Sequence, residues 1–354
     1  MERERLVSLD AFRGATIAAM ILVNNPGDGS KVFRQLGHAA WDGCTLTDLI
    51  FPFFIFIMGV AIPLAFARRR EGEGVAWPIL RRTVLLVGLG VLLNAFPFTG
   101  LPFGVRFPGV LQRIGLCYLV AAPLALRVSS RGLFAIALGL LVGYALALQW
   151  GGDLSAENNV GAPIDRAIFG THLYRKGKWD PEGLFSTIPA IATALSGVLA
   201  GRWIGETQRS GFERACGLFV AGVACIAVGF AWNSWQPINK QLWTSSYVFF
   251  TSGLALQTLA ASYWVIDLQG RSGWATPFLH FGRNAIFVYM ASHMVLRLLV
   301  FGVKVGGVDV KKWMYTSIFA ESTAVTSHAW AVGYVTIWWA VVALMDRKRI
   351  YIRV

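Results

Sequence analysis

Long apolar runs separated by short polar stretches set the pattern of this chain. A bilayer core about 30 Å thick is crossed by a helix of about 20 mostly apolar residues. Ten segments meet that description: 11–25, 46–67, 77–96, 109–127, 132–150, 185–204, 214–232, 243–267, 278–303 and 329–345. The first is the shortest and is polar at both ends. No small-residue cleavage site follows it, so it is expected to remain as the first membrane helix. No internal repeat or low-complexity tract interrupts the series. The expected fold is all-α: a polytopic transmembrane bundle of about ten helices, with residues 1–354 as a single domain.

Composition strengthens this expectation. Apolar residues make up 55% and charged residues 14% of the chain, against roughly 25% charged in soluble domains. The net charge of +13 would suggest nucleic acid in a soluble protein. Here the charges lie between apolar runs, so membrane topology accounts for them and no nucleic-acid partner is expected. Arginine-rich loops (Arg3 and Arg5; Arg68–Arg70, Arg81 and Arg82; Arg127 and Arg131; Arg202, Arg209 and Arg214; Arg271; Arg347–Arg349) alternate with less basic ones. With ten helices all of them fall on one side, together with both termini. The positive-inside rule makes that side cytoplasmic. The four cysteines, Cys44, Cys117, Cys216 and Cys225, have neither metal-ligand nor CxxC spacing, and no metal is expected.

The chemistry is expected in the opposite loops, 26–45, 97–108, 151–184, 233–242 and 304–328. The third is long, as functional loops often are, and carries Asp180 and Glu182. Trp41, Trp150, Trp179, Trp235 and Trp243 lie near helix ends, where an interfacial belt would place them. His38 precedes a very apolar helix and is a candidate general base; the alternative is an interfacial histidine bonded to backbone. Asp48 opens that helix, where it is either a functional intramembrane carboxylate or a charge favoured by the helix dipole. Spacing does not decide whether the two touch. Asp10 and Arg13 can pair across one helical turn. Asn24, Gln112, Arg113, Asn284, His293 and Arg297 are further polar groups within or beside apolar runs. Together they describe a polar membrane cavity with a base at one end, and name no reaction; a transporter would show the same features.

The ordered motifs say more. The opening Arg5-Leu6-Val7-Ser8-Leu9-Asp10-Ala11-Phe12-Arg13-Gly14, then Asn24, then His38-Ala39-Ala40-Trp41-Asp42-Gly43 and Asp48-Leu49-Ile50-Phe51-Pro52 are followed by Pro108-Gly109-Val110-Leu111-Gln112-Arg113. After these come Asp180-Pro181-Glu182-Gly183, Pro237-Ile238-Asn239-Lys240-Gln241-Leu242-Trp243-Thr244-Ser245-Ser246 and Gly282-Arg283-Asn284-Ala285. In this order they resemble the heparan-α-glucosaminide N-acetyltransferase family and its bacterial relatives, over nearly the whole chain. The resemblance implies a helix bundle that takes acetyl-CoA from the cytoplasm and acetylates a glucosamine-like amine on the far side.

It also implies that His38 is the catalytic base or acyl acceptor, with Asn24 nearby; Asp48, from its place at the helix entry, is a third catalytic candidate. Donor-binding candidates are Arg5, Arg13, Arg68, Gln112, Arg113, Ser246 and Asn284, the arginines because guanidinium matches phosphate. Their plain alternative is positive-inside topology. Acceptor-binding candidates are Trp41, Asp42, Asp180, Glu182 and Lys240. Asp42 departs from the family's lysosomal members, which have asparagine there, and would put a second carboxylate near His38. The expected setting is a bacterial inner (plasma) membrane with His38 on the periplasmic side, lipid as a partner, and a homodimer compatible with the sequence. Competing readings are a transporter and an O-acyltransferase acting on a cell-envelope glycan.

Overall fold

A computed structural model of the protein describes residues 6–67, 74–98, 104–174 and 178–352. Among them ten helices are long and apolar enough to cross a membrane. They are α1 (Val7–Asn24), α2 (Leu46–Phe66), α3 (Ala76–Ala95), α4 (Val110–Arg127), α5 (Ser130–Trp150), α7 (Thr187–Ile204), α8 (Gly211–Asn233), α9 (Ser245–Ser262, continued by a π-helical turn to Leu268), α11 (Ala285–Arg297, continued likewise to Gly302) and α13 (Ala324–Arg347). Three short helices do not span: α6 (Gly161–Phe169), α10 (Thr276–Arg283) and α12 (Val310–Ile318). The one sheet among the described residues is a two-stranded hairpin, β1 (Lys304–Val305) against β2 (Val308–Asp309). With ten alternating spans, both described chain ends lie at one end of the bundle. This basic end carries Arg127, Arg131, Arg202, Arg209, Arg214 and Arg271; the opposite, loop end carries His38.

Two boundaries differ from the hydropathy pattern, each for a physical reason. Helix α1 begins at Val7, four residues early, and so takes in Asp10 as well as Arg13. Its first amides are capped from another helix: the Asp267 carboxylate accepts Val7 N (2.9 Å) and Ser8 N (3.1 Å). That satisfies orphan donors with a charge the helix N-terminus favours. The ninth apolar segment is not one helix. It breaks at Asn284 (φ −121°, ψ 34°), which separates α10 from α11. The Asn284 side chain bonds the C-terminal tail instead, donating to Ile350 O (3.1 Å) and accepting from Ile352 N (3.0 Å).

Helices α2 and α7 form the centre, where Gly59 and Gly197 face each other. A Cβ on either would collide with a carbonyl across the contact, Ala194 O or Phe56 O. Without a hydrophobic force between helices in lipid, such close backbone approach is what packing rewards. Gly14 and Gly282 play the same part between α1 and α10, the two helices that carry Arg13 and Arg283.

Candidate active site

The loop before α2 leaves the helical path. Arg34–Leu36 forms one 3₁₀ turn and Gly37 is extended, so His38 folds back over the helix start. Its Nδ1 lies 2.7 Å from Asp48 Oδ1. The other oxygen of Asp48, Oδ2, accepts Ala39 N (3.0 Å) and Thr45 N (3.1 Å). Asp48 therefore makes two kinds of contact: one oxygen serves the helix start, as in a capping box, and the other meets the imidazole. The Asp48 side chain is 1% exposed while that of His38 is 48% exposed, so the carboxylate is fixed and the outer edge of the ring is open.

Lys240 completes the cluster, its Nζ 3.4 Å from Asp48 Oδ1 and 3.0 Å from His38 Nδ1. The shorter contact, to a buried anion, assigns the Nδ1 proton to the Asp48 side and leaves the ammonium to balance the carboxylate. Nε2 is then the lone-pair nitrogen. Tyr247 pins the backbone below by donating to Asp48 O (2.5 Å). Burial and the Asp48 charge push the neighbouring thiol of Cys44 up to about 12.

The second feature is a cavity of about 330 Å³ between α1, α2, α3, α4, α10 and α11. Arg13, Arg82 and Arg283 line its basic end, and Ile17, Ile57, Met58 and Leu86 its apolar length. Its far end is walled by Phe54, Val110 and Leu111. Phe54 lies six residues beyond Asp48, about 9 Å along the α2 axis. His38 is not among the lining residues. The cavity and the histidine thus share helix α2, with that stretch closed between them.

Residues 5–229 match the family described as heparan-alpha-glucosaminide N-acetyltransferase, catalytic. The chain belongs to this family. It is 29% identical over 355 residues to the heparan-alpha-glucosaminide N-acetyltransferase of Homo sapiens, covering 81% of this chain and 52% of the relative. It is 30% identical over 357 residues to that of Mus musculus, covering 82% and 54%. The chain spans about half the length of these curated relatives.

Within this acetyltransferase family member, the sequence-derived candidates separate into distinct groups. His38, Asp48 and Lys240 converge. Asn24 ends α1 exposed, and its side chain makes no hydrogen bond among the described residues. Arg13 lines the cavity and pairs with Asp10 (3.2 Å) as the spacing suggested. Arg5 and Arg68 lie outside the described residues. Gln112, buried in the notch formed by Gly90 and Gly109, donates to Phe107 O (2.8 Å). Ser246 donates to Pro237 O (3.0 Å) and so braces the loop that carries Lys240. Asn284 holds the C-terminal tail, whose Ile352 is a cavity wall.

Asp42 accepts from Asn239 Nδ2 (3.0 Å), so the carboxylate that holds the imidazole is Asp48. Trp41 donates to Leu154 O (3.0 Å) and meets Trp179 edge-on (5.5 Å). Asp180 is engaged by Arg106 through both oxygens (2.8 and 2.5 Å) and accepts Tyr174 N and Glu182 N. Glu182 shares the same guanidinium. Burial pushes the Glu182 carboxyl up, but Arg106 and Arg113 outweigh it and hold it below its usual range. Burial works against the Arg106 cation too, yet its two carboxylates raise it above the ordinary value. Arg113 is 1% exposed; it donates to Gly183 O (3.0 Å) and Ser186 Oγ beneath Trp243, while its Nε and Nη1 have no partner among the described residues.

Sequence reasoning missed Arg82, Arg283 and Arg106 as site residues. Arg82 read as one of the basic topology charges, and Arg283 appeared only within the Gly282-Arg283-Asn284-Ala285 motif. The signal available for Arg283 was the small residue beside it, Gly282, which marks a close helix contact.

Proposed function

We propose that the chain is a transmembrane acyltransferase that moves an acetyl group from acetyl-CoA, bound from the basic end, to the amine of a glucosamine-like sugar at the loop end. The observation that carries this reading is the His38–Asp48 pair standing over the same helix, α2, that walls an arginine-lined cavity at its other end. Family membership supports it, since the matched relatives are named N-acetyltransferases of a glucosaminide. The basic end is the cytoplasmic side by the positive-inside rule, so both termini are cytoplasmic and His38 faces the extracytoplasmic space.

The cavity suits the donor in shape and charge. Acetyl-CoA is polyanionic, and three guanidiniums at one mouth match its phosphates. The narrow apolar length beyond accepts a pantetheine arm and leaves the nucleotide outside. Transfer includes a parting of Phe54, Val110 and Leu111, because that end is closed toward His38.

At the loop end, Asp48 holds Nδ1–H and keeps Nε2 as the base. Nε2 takes a proton from the acceptor ammonium nitrogen, and that nitrogen attacks the thioester carbonyl. Nε2 passes that first proton to solvent and, as the C–S bond breaks, takes the second N–H proton and delivers it to the thiolate, which leaves toward the cavity as CoA thiol. Asn24, with its amide uncommitted, donates to the carbonyl oxygen as negative charge grows; a contact of this kind is worth about 3–4 kcal/mol in the transition state. Asp48 also stabilises the imidazolium as it forms.

The test is thiol release by the purified chain. With acetyl-CoA and glucosamine, release of free CoA is expected, and His38→Ala should abolish it while the melting temperature is kept. Sugar flux without thiol release would instead establish a transporter. Release with hydroxyl sugars but not amines would establish an O-acyltransferase.

A further inference from the structure

A larger cavity has no part in this chemistry. It holds about 530 Å³ and lies between α5 and α8, on a floor made by α7 and α9. Small residues at helical spacing create it: Ala192, Ser196 and Ala200 recur every four residues on α7, as do Gly217 and Ala221 on α8. Its walls are apolar, including Phe134, Leu138 and Phe249. Along α7 it runs from Ala192 to Trp203, about 16 Å at 1.5 Å per residue. That is about half of a 30 Å bilayer core, measured from the basic end. The groove is therefore the depth of one leaflet.

Its mouth carries an excess of positive charge, with Arg131, Arg202 and Arg209 set against Glu206 and, beside Arg209, Glu213. Arg202 lines the mouth and, among the described residues, donates to neutral acceptors: Ser130 Oγ (3.1 Å), Ala125 O (2.7 Å) and Val128 O (2.7 Å). Arg131 follows Ser130, itself a lining residue. Arg209 stacks on Trp203, another lining residue, with its guanidinium 4.3 Å from the ring centre. Glu206 is the one acid in the lining among the described residues.

We propose that this groove binds one anionic phospholipid of the basic-end leaflet, with an acyl chain along α7 and the phosphate among Arg131, Arg202 and Arg209. An apolar wall in a membrane confers no preference by itself, because bulk lipid tails solvate it equally well. The selectivity lies in the headgroup charges. This site is independent of the acetyl-transfer reading.

Native mass spectrometry of the full chain, reconstituted in equal parts phosphatidylglycerol and phosphatidylcholine and then released into detergent, reads the retained lipid directly. One retained phosphatidylglycerol per chain is expected. Arg202→Gln should lower its preference over phosphatidylcholine about fivefold, the effect of one arginine near a charged surface. Ala221→Trp should fill the groove and abolish retention. Val332→Trp, on an exposed face of α13, should change nothing. Where Ala221→Trp does not elute as folded protein, Ala221→Leu takes its place. Equal retention of the two lipids by the wild type, or undiminished retention in the filled groove, overturns the proposal. So does a filled-groove variant whose only change is loss of a dimer, which would make the groove a contact between two copies.

Discussion

Replacing Asp48 with asparagine separates its hold on the His38 ring from its role in capping α2. The exchange preserves shape. An amide oxygen in the place of Oδ2 still accepts Ala39 N and Thr45 N, at 3.0 and 3.1 Å in the wild type, so the start of α2 keeps its cap. At the other position an NH2 group now faces His38 Nδ1, where an oxygen lay at 2.7 Å. Nδ1 must then accept, the ring proton moves to Nε2, and the base loses the lone pair it needs. In Ser-His-Asp triads the same exchange costs about 10⁴-fold in kcat, and we expect a loss of about 10³–10⁴-fold here. At 1.36 kcal/mol per decade that is about 4–5.5 kcal/mol of transition-state stabilisation.

Stability also falls, because Lys240 loses its anion 3.4 Å away. Breaking a fully buried pair costs about 3–5 kcal/mol. The Lys240 side chain is 14% exposed and regains some hydration, so the cost is about 1–3 kcal/mol after screening. The assay is CoA thiol release at saturating donor, with a thermal melt of each variant. The decisive comparison is the double-mutant cycle: on a His38→Ala background, Asp48→Asn should cost less than about tenfold, since Asp48 acts through His38. A single Asp48→Asn variant within tenfold of wild type, or two effects that simply add, would refute the orienting role.

Three further outcomes follow from the same geometry. Arg82→Gln removes one cavity cation and should raise KM for acetyl-CoA about 10–100-fold, as for loss of a charge-assisted hydrogen bond, with the acceptor KM unchanged; steady-state kinetics with each substrate varied checks it. Asn284→Ala frees two bonds to the C-terminal tail and should cost about 1–3 kcal/mol, seen as faster hydrogen exchange at residues 350–352 with no matching change at His38. Glu182 has a folded-state carboxyl held below its unfolded value, so its contribution is present above the unfolded range near 4.3 and is lost as pH falls toward the depressed folded value. Between pH 6 and 3 the melting temperature should fall less steeply in Glu182→Gln than in the wild type, and an unchanged slope would remove Glu182 from the acid response.

Hydropathy was sufficient for the spans because a lipid-facing helix needs little beyond length and apolarity. The ten segments recur in the structure with shifted ends. The early start of α1 and the break at Asn284 both depend on partners far away in sequence, Asp267 and Ile350–Ile352, and local pattern carries no trace of them. The site was legible to the same extent. His38 and Asp48 stood out as polar groups in costly places, but their contact depends on a loop that turns back at Gly37. Asp180 and Glu182 read as open carboxylates because Arg106, their partner, lies more than 70 residues away. Asp42 and Asp48 were equally plausible neighbours of the imidazole; Asn239, reaching Asp42 from another loop, separates them.

Passage of the acetyl group through the bundle is tested most directly by placing the two substrates on opposite sides of a sealed membrane. Proteoliposomes of uniform orientation would hold acetyl-CoA at the basic end only, and a membrane-impermeant glucosamine polymer at the His38 end only. Free CoA is expected on the first side and N-acetylated polymer on the second, both lost in His38→Ala. Product formed only when donor and acceptor share one side would contradict it.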